Sequence, residues 1–277
     1  IPTFQILLPN QLAALDPANK VALLAGISFA GGIAAILGNL LAGALSDRTT
    51  ARFGRRRPWI IAGALLSAAA LALLGFAPSI LAVALGIIVF QFCINMDIAS
   101  LAALVPDQVP VSQRATVSAF VGLALPLGTV IGLTLIAQVF NGAPSSYFVL
   151  AVALVVILTL FVLVTRDAVL PQGVMPAFKL KEFVVSFLSP LRNRDFLLTL
   201  IAHILVILGY YTIVGYLLYY LQDAVHFNNT QATQGVAIFQ VLATAVLIVA
   251  TIVSGIISDR LQRRKPFVIA ASCIMAV

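Results

Sequence analysis

Charged side chains fall along this chain in short groups separated by long uncharged stretches. Val21 to Ser46 runs for 26 residues without a charge, Pro58 to Met96 for 39, and Ala115 to Thr165 for 51. A helix needs about 20 apolar residues to cross a hydrocarbon core about 30 Å thick. The two longer stretches therefore each hold a pair of crossings. Phe76-Ala77-Pro78-Ser79 breaks the first pair, whose second helix runs on through Asp97 to about Leu104. Asn141-Gly142-Ala143-Pro144-Ser145-Ser146 breaks the second pair. Asp195 to Gln222 and Gln234 to Ser258 supply two more. The pattern predicts seven complete crossings, all helical, because lipid offers no partner to an unpaired backbone group. Ile1 to Leu8 reads as the tail of an earlier crossing and Pro266 to Val277 as the start of a later one. The sequence thus reads as a piece of a longer membrane protein.

Composition sharpens this picture. Charged residues make up 9% of the chain and hydrophobic ones 62%, with a mean hydropathy of +1.12. A soluble domain carries about 25% charged residues, so a globular fold in water is excluded. A net charge of +7 would suggest nucleic acid if the basic residues formed a surface patch. Instead, 15 of the 16 Lys and Arg fall in 47–58, 105–115, 166–195 and 259–266, which the topology puts on one side; Lys20 alone is opposite. By the positive-inside rule that side is the cytoplasm. The charge is a topology signal, and no nucleic-acid partner is expected. Cys93 and Cys273 form neither a metal-ligand spacing nor a disulfide framework. No nucleophile–base pattern or phosphate-binding glycine loop is present, so the sequence predicts no enzyme, no metal site and no cofactor.

Self-comparison finds one short repeat. Gly43-Ala44-Leu45-Ser46-Asp47-Arg48 and Gly255-Ile256-Ile257-Ser258-Asp259-Arg260 share Gly-x-(Leu/Ile)-Ser-Asp-Arg at an offset of 212 residues. Each ends a crossing on the cytoplasmic side and is followed by a basic cluster and a proline, Arg55-Arg56-Arg57-Pro58 and Arg263-Arg264-Lys265-Pro266. Six crossings separate the copies, and parallel six-helix repeats are a transporter architecture. The chain resembles the major facilitator superfamily, whose loop between helices 2 and 3 reads Gly-x-Leu-x-Asp-Arg followed by Gly-Arg-Arg. Gly43 to Arg57, including Gly54-Arg55-Arg56, is similar to that signature; the second copy lacks its later glycine. Asp47 through Ile60 is similar, more narrowly, to the same loop in the glycoside–pentoside–hexuronide cation symporters and sucrose transporters.

The resemblance implies an all-α integral membrane bundle of major facilitator type. Helices 2–8 are then complete, helices 1 and 9 partial, and helices 10–12 absent. It implies an N-terminal bundle over 1–165, a cytoplasmic linker over 166–195 and the start of a second bundle over 196–277. It further implies that Gly43, Asp47, Arg48, Gly54, Arg55 and Arg56, with Gly255, Asp259 and Arg260 as the pseudo-symmetric set, latch the cytoplasmic side of an alternating-access carrier. The residues by themselves add that Asp47, at a helix C-terminus, is unfavourable against the macrodipole. It needs compensation from Arg48, from Arg55 to Arg57 or from another helix's N-terminus.

Candidate chemistry within the crossings is sparse. Asp97 is the only acid embedded in one; it precedes Asp107 by ten residues, about 15 Å of helix, near the midplane. An ionisable group there is costly and marks a functional site by default; the alternative is an acid hydrogen-bonded to a neighbouring helix. Gln91 and Asn95, one turn apart, add polar capacity on a different face. His203, Tyr210, Tyr211 and Gln240 are further candidates for the ion or substrate path, each also explicable by packing. Helix 5 carries Gly122, Gly128 and Gly132 around Pro126, which suits close helix packing. Leu180, Phe183, Val184, Phe187, Leu188 and Leu191 recur at helical spacing in the linker, as in an interfacial amphipathic helix. The expectation is a monomeric, multi-pass carrier of the bacterial cytoplasmic membrane, coupling a cation, H⁺ or Na⁺, to a sugar or similar small polar solute. A proton-driven exporter and a non-transporting sensor or scaffold are the rivals.

Overall fold

Seven helices long and apolar enough to cross a membrane are present among the described residues, and no strand is. The computed structural model describes residues 2–138, 143–165, 167, 185 and 188–261. The chain forms two compact units, Ile1–Pro176 and Ala177–Val277. The first begins with a π-helical turn, Thr3–Leu7, and continues as α1 (Leu8–Leu15), α2 (Lys20–Ser46), α3 (Arg57–Leu74), α4 (Ile80–Gln108), α5 (Arg114–Gln138) and α6 (Ala143–Val164). The second holds α7 (Arg194–Asp223) and α8 (Asn229–Leu261).

Local chemistry sets these boundaries. Pro58 occupies the first turn of α3, where its missing N–H costs nothing. Gly75 and Pro78 end that crossing, and the Ser79 hydroxyl caps α4 by accepting from Ala82 N at 3.3 Å. Asn193 caps α7, accepting from Asp195 N at 2.9 Å and Phe196 N at 3.3 Å. Asn228 and Gln231 exchange side-chain to backbone bonds at 2.8 and 3.1 Å across the start of α8, a capping box. At the end of α4, Arg114 donates to the carbonyls of Val109 and Pro106 at 3.0 and 2.8 Å, a cation placed at the negative end of a helix.

Three boundaries depart from the sequence pattern. The first segment stays helical to Leu15 rather than ending near Leu8, because Asn10 and Gln11 are tolerated in helix and the Gln11 amide finds a buried acceptor. α4 continues to Gln108 through Pro106. α6 starts at Ala143, so Pro144, Ser145 and Ser146 lie in its first turn instead of a break; proline there needs no donor. Leu180, Phe183, Val184 and Phe187 of the anticipated amphipathic helix, and the crossing expected from Pro266, lie outside the described residues.

Within the first unit α4 is central, packing against α2 on one side and α3 on the other, while α3 also meets α6. Glycine permits the closest approaches: a Cβ on Gly38 of α2 would stand 2.2 Å from the Phe92 carbonyl oxygen of α4. Gly31 similarly admits Ile87 and Gln91. Ile60 and Ala64 of α3, Leu104 of α4 and Leu158 and Val162 of α6 form a buried cluster toward the cytoplasmic end. At the outer end, the Gln11 amide donates to the Leu74 carbonyl at 2.9 Å and its oxygen accepts from the Tyr147 hydroxyl, also at 2.9 Å. Those contacts tie α1, α3 and α6 together. The many exposed Leu, Ile, Val and Phe on these helices are what a bilayer solvent requires.

Candidate functional site

Two polar regions stand out in the first unit, one at the end that carries the basic loop and one in mid-span. The first is built on the α2–α3 loop. Asp47 caps the end of α2, where its charge opposes the helix dipole. Arg56 supplies the compensation: its guanidinium reaches Asp47 at 2.5 Å, Asp107 at the end of α4 at 3.1 Å and the Ser46 hydroxyl at 2.6 Å. Arg56 is buried while Asp47 is half exposed. Arg55 also pairs with Asp107, and that hydrogen bond holds the Arg55 guanidinium more firmly protonated than usual.

A further acid completes the region from the far end of the unit. One Asp167 oxygen, just beyond α6, accepts from the backbone N–H groups of Arg56 and Arg57 at 2.5 and 3.0 Å. It thereby occupies the N-terminus of α3, where a negative charge is favoured. Gly54 makes room: its φ is +111°, and a Cβ there would fall 2.4 Å from an Asp167 carboxylate oxygen. The Trp59 indole donates to Thr49 Oγ1 at 2.8 Å, closing the loop on itself.

The structure thus brings Asp47, Gly54, Arg55 and Arg56 together, and their described ion pairs lie within the first unit. Arg48 stands in the turn after α2. Gly43 has open space over its Cα, while its carbonyl accepts from Asp47 N at 3.3 Å. Gly255, Asp259 and Arg260 fall in the last turns of α8, and their side chains lie outside what is described. Sequence reasoning missed Ser46, Asp107 and Asp167 as members of this cluster. The available signal was that Asp107 and Asp167 are acids just beyond crossings on an otherwise basic face.

Mid-span, Asp97 is 2% exposed, and its Oδ1 has no hydrogen-bond partner. It faces α3, where a Cβ on Gly63 would stand 2.9 Å from the Asp97 Cβ and 3.1 Å from the Cys93 carbonyl. Asn95 lies on another face of α4, half-buried, its amide donating to the Gln91 carbonyl at 2.8 Å. Gln91 meets α2 at Gly31. The acid and the two amides therefore do not form one cluster.

In the second unit, His203 is exposed, as are Tyr210 and Tyr211, whose rings meet edge to face at 5.3 Å. Gln240 is buried on α8 and donates to Thr244 at 3.4 Å. No group of three or more His, Cys, Asp or Glu able to hold a metal occurs among the described residues.

Comparison with known proteins bears on this arrangement directly. The chain is 30% identical over 122 residues to the general alpha-glucoside permease of Schizosaccharomyces pombe (strain 972 / ATCC 24843), an alignment covering 38% of this chain and 22% of the permease. The chain thus spans about a fifth of that relative's length. The Major Facilitator Superfamily profile matches residues 4–277. Seven apolar helices, the Gly-x-Leu-Ser-Asp-Arg loop with its ion pairs and a profile match over nearly the whole sequence agree: the chain is a multi-pass membrane protein of the major facilitator superfamily, a family of transporters rather than enzymes.

Proposed function

We propose that this chain belongs to a cation-coupled symporter of α-glucosides or related sugars, working by alternating access and closest to the glycoside–pentoside–hexuronide and sucrose-transporter group. One observation carries the reading. A carboxyl group is enclosed mid-span in α4 with an oxygen that meets no donor. An ionised carboxylate so placed is costly, so binding H⁺ or another cation stabilises the site and release exposes a charge to be compensated. That alternation is what coupling needs. The similarity to an α-glucoside permease supports a sugar as the solute. The cytoplasmic cluster of Asp47, Arg55, Arg56, Asp107 and Asp167 acts in this reading as the gate; its ion pairs give the closed state a defined geometry. A proton-driven exporter would use the same enclosed acid, and the similarity to a sugar permease is what favours the symporter. Residence in the plasma membrane, as a monomer, completes the proposal.

The test is sugar uptake into proteoliposomes holding the full-length protein, with and without inward H⁺ or Na⁺ gradients. Gradient-driven accumulation of maltose or sucrose is expected. Asp97→Asn should abolish accumulation while leaving sugar exchange across the membrane intact. Undiminished accumulation in that variant would sink the coupling assignment.

A further inference from the structure

Three buried serine and threonine hydroxyls of the first unit share one habit. Ser46, Ser100 and Thr129 each donate to a carbonyl one turn back in their own helix, at 3.4, 3.0 and 2.8 Å. Ser67 of α3 departs from it. It is fully buried, yet its Oγ has no hydrogen-bond partner, and orphaned buried polar atoms are uncommon. Asp97 Oδ1 is the other such oxygen on the α3–α4 seam.

Helix geometry sets the two on facing sides of the seam, about one turn apart and not bonded to each other. Gly63 meets Asp97 across the seam, and Gly86 meets Leu74, so α3 and α4 run antiparallel. Ser67 lies one turn beyond Gly63 on the same face of α3. Cα–Cβ bonds tilt toward a helix's own N-terminus. On antiparallel helices this leans Asp97 toward the outer face and Ser67 toward the cytoplasmic face, so each leans toward the other over the Gly63 gap. Gly63 supplies the room, since a Cβ there would crowd the Asp97 Cβ.

We propose that Ser67 is the second group of the coupling site, accepting the hydrogen bond of the protonated Asp97 across the α3–α4 seam, and that the ion carried there is a proton. This rests on the reading of Asp97 as the coupling residue. The step is simple in its balance: an aqueous proton forms one O–H bond on the carboxylate, that O–H donates to Ser67 Oγ, and the same bond breaks on release. Ca²⁺ and Mg²⁺ ask for at least about six oxygens, whereas the unpartnered oxygens described on this seam are one of a carboxylate and one of a hydroxyl. The elements packed on α4 bring no competing titratable group to this level. α2 carries none between Lys20 and Asp47, α3 none beyond Arg57, and α5 none after Arg114. α4 itself adds the Cys93 thiol one turn away and Asp107 at the cytoplasmic end.

The experiment is the pH profile of sugar accumulation in proteoliposomes of the full-length protein, read beside sugar exchange as a measure of intact fold. Ser67→Ala removes the acceptor, so half-maximal accumulation should need a proton concentration about tenfold higher, with accumulation and exchange both recovered at sufficiently acidic pH as the sign of an intact fold. Ser67→Cys, of similar volume but a weaker acceptor, should shift the profile the same way and serves if Ser67→Ala does not fold. A wild-type profile in both variants overturns the inference, as does accumulation driven by Na⁺ at equal pH on both sides. The parent reading fails separately, through Asp97→Asn: if that variant still accumulates sugar, Asp97 is not the coupling residue. If it does not, and the Ser67 variants behave as wild type, only the role of Ser67 is wrong.

Discussion

The hairpin of α3 and α4 carries acids at two levels, and they are treated in opposite ways. At its cytoplasmic end Asp107 is gripped by two arginines, while Asp47 and Asp167 meet Arg56 through its side chain and backbone. In mid-span Asp97 has an oxygen that meets no hydrogen-bond donor among the described residues. Ion pairs fix a geometry, because breaking one leaves a charge uncompensated. A carboxyl enclosed without a partner fixes nothing and is free to bind and release. The same two helices thus hold one acid in ion pairs and another with an oxygen that meets no donor.

Mutations can test that contrast, starting where packing is tightest. Gly38→Ala should be the most damaging, since its methyl would meet a backbone oxygen that cannot swing aside; overpacking of this kind costs about 3 kcal/mol. A large drop in the unfolding midpoint in mixed detergent is the readout. Arg56→Ala strips the donor from Asp47 and Asp107 together. A loss of about 2 kcal/mol is expected, below the fully buried figure because both acids are partly exposed. Asp47→Asn in the same background should recover part of it.

Smaller effects sharpen the comparison. Tyr147→Phe removes the donor to the buried Gln11 oxygen, costing about 1 kcal/mol in the same unfolding assay. Asp97→Asn should change stability least, by less than about 1 kcal/mol, because its Oδ1 accepts no hydrogen bond that the change could break. The same variant should show the largest loss of coupled transport. A strongly destabilised Asp97→Asn would mean that the acid is structural after all.

Much of this was legible in the sequence because the bilayer demands it. Each crossing needs an uncharged run, so α2 through α8 could be placed to within a few residues, and the repeated Asp-Arg loop pointed to the ion-pair cluster around Arg56. The misses came from groups whose meaning depends on a neighbour far along the chain. Nothing local to Asp167 says that its carboxylate seats on α3, more than a hundred positions earlier. Gln11 and Tyr147 read as incidental polar residues until the fold joins them.

Hydropathy by itself determined that the chain spans a membrane and where the seven described crossings fall, and the distribution of Lys and Arg gathers the charge on one side of them. They do so because desolvation of charge is a one-dimensional constraint along each crossing. Only the tertiary structure decided which acids are paired and which is not. Pairing depends on the direction each side chain leaves its helix and on the glycines that let two backbones meet. Asp97 and Asn95 stand two residues apart, and nothing in the sequence says which of them is enclosed. The packing of α3 at Gly63 is what encloses one and leaves the other half-buried.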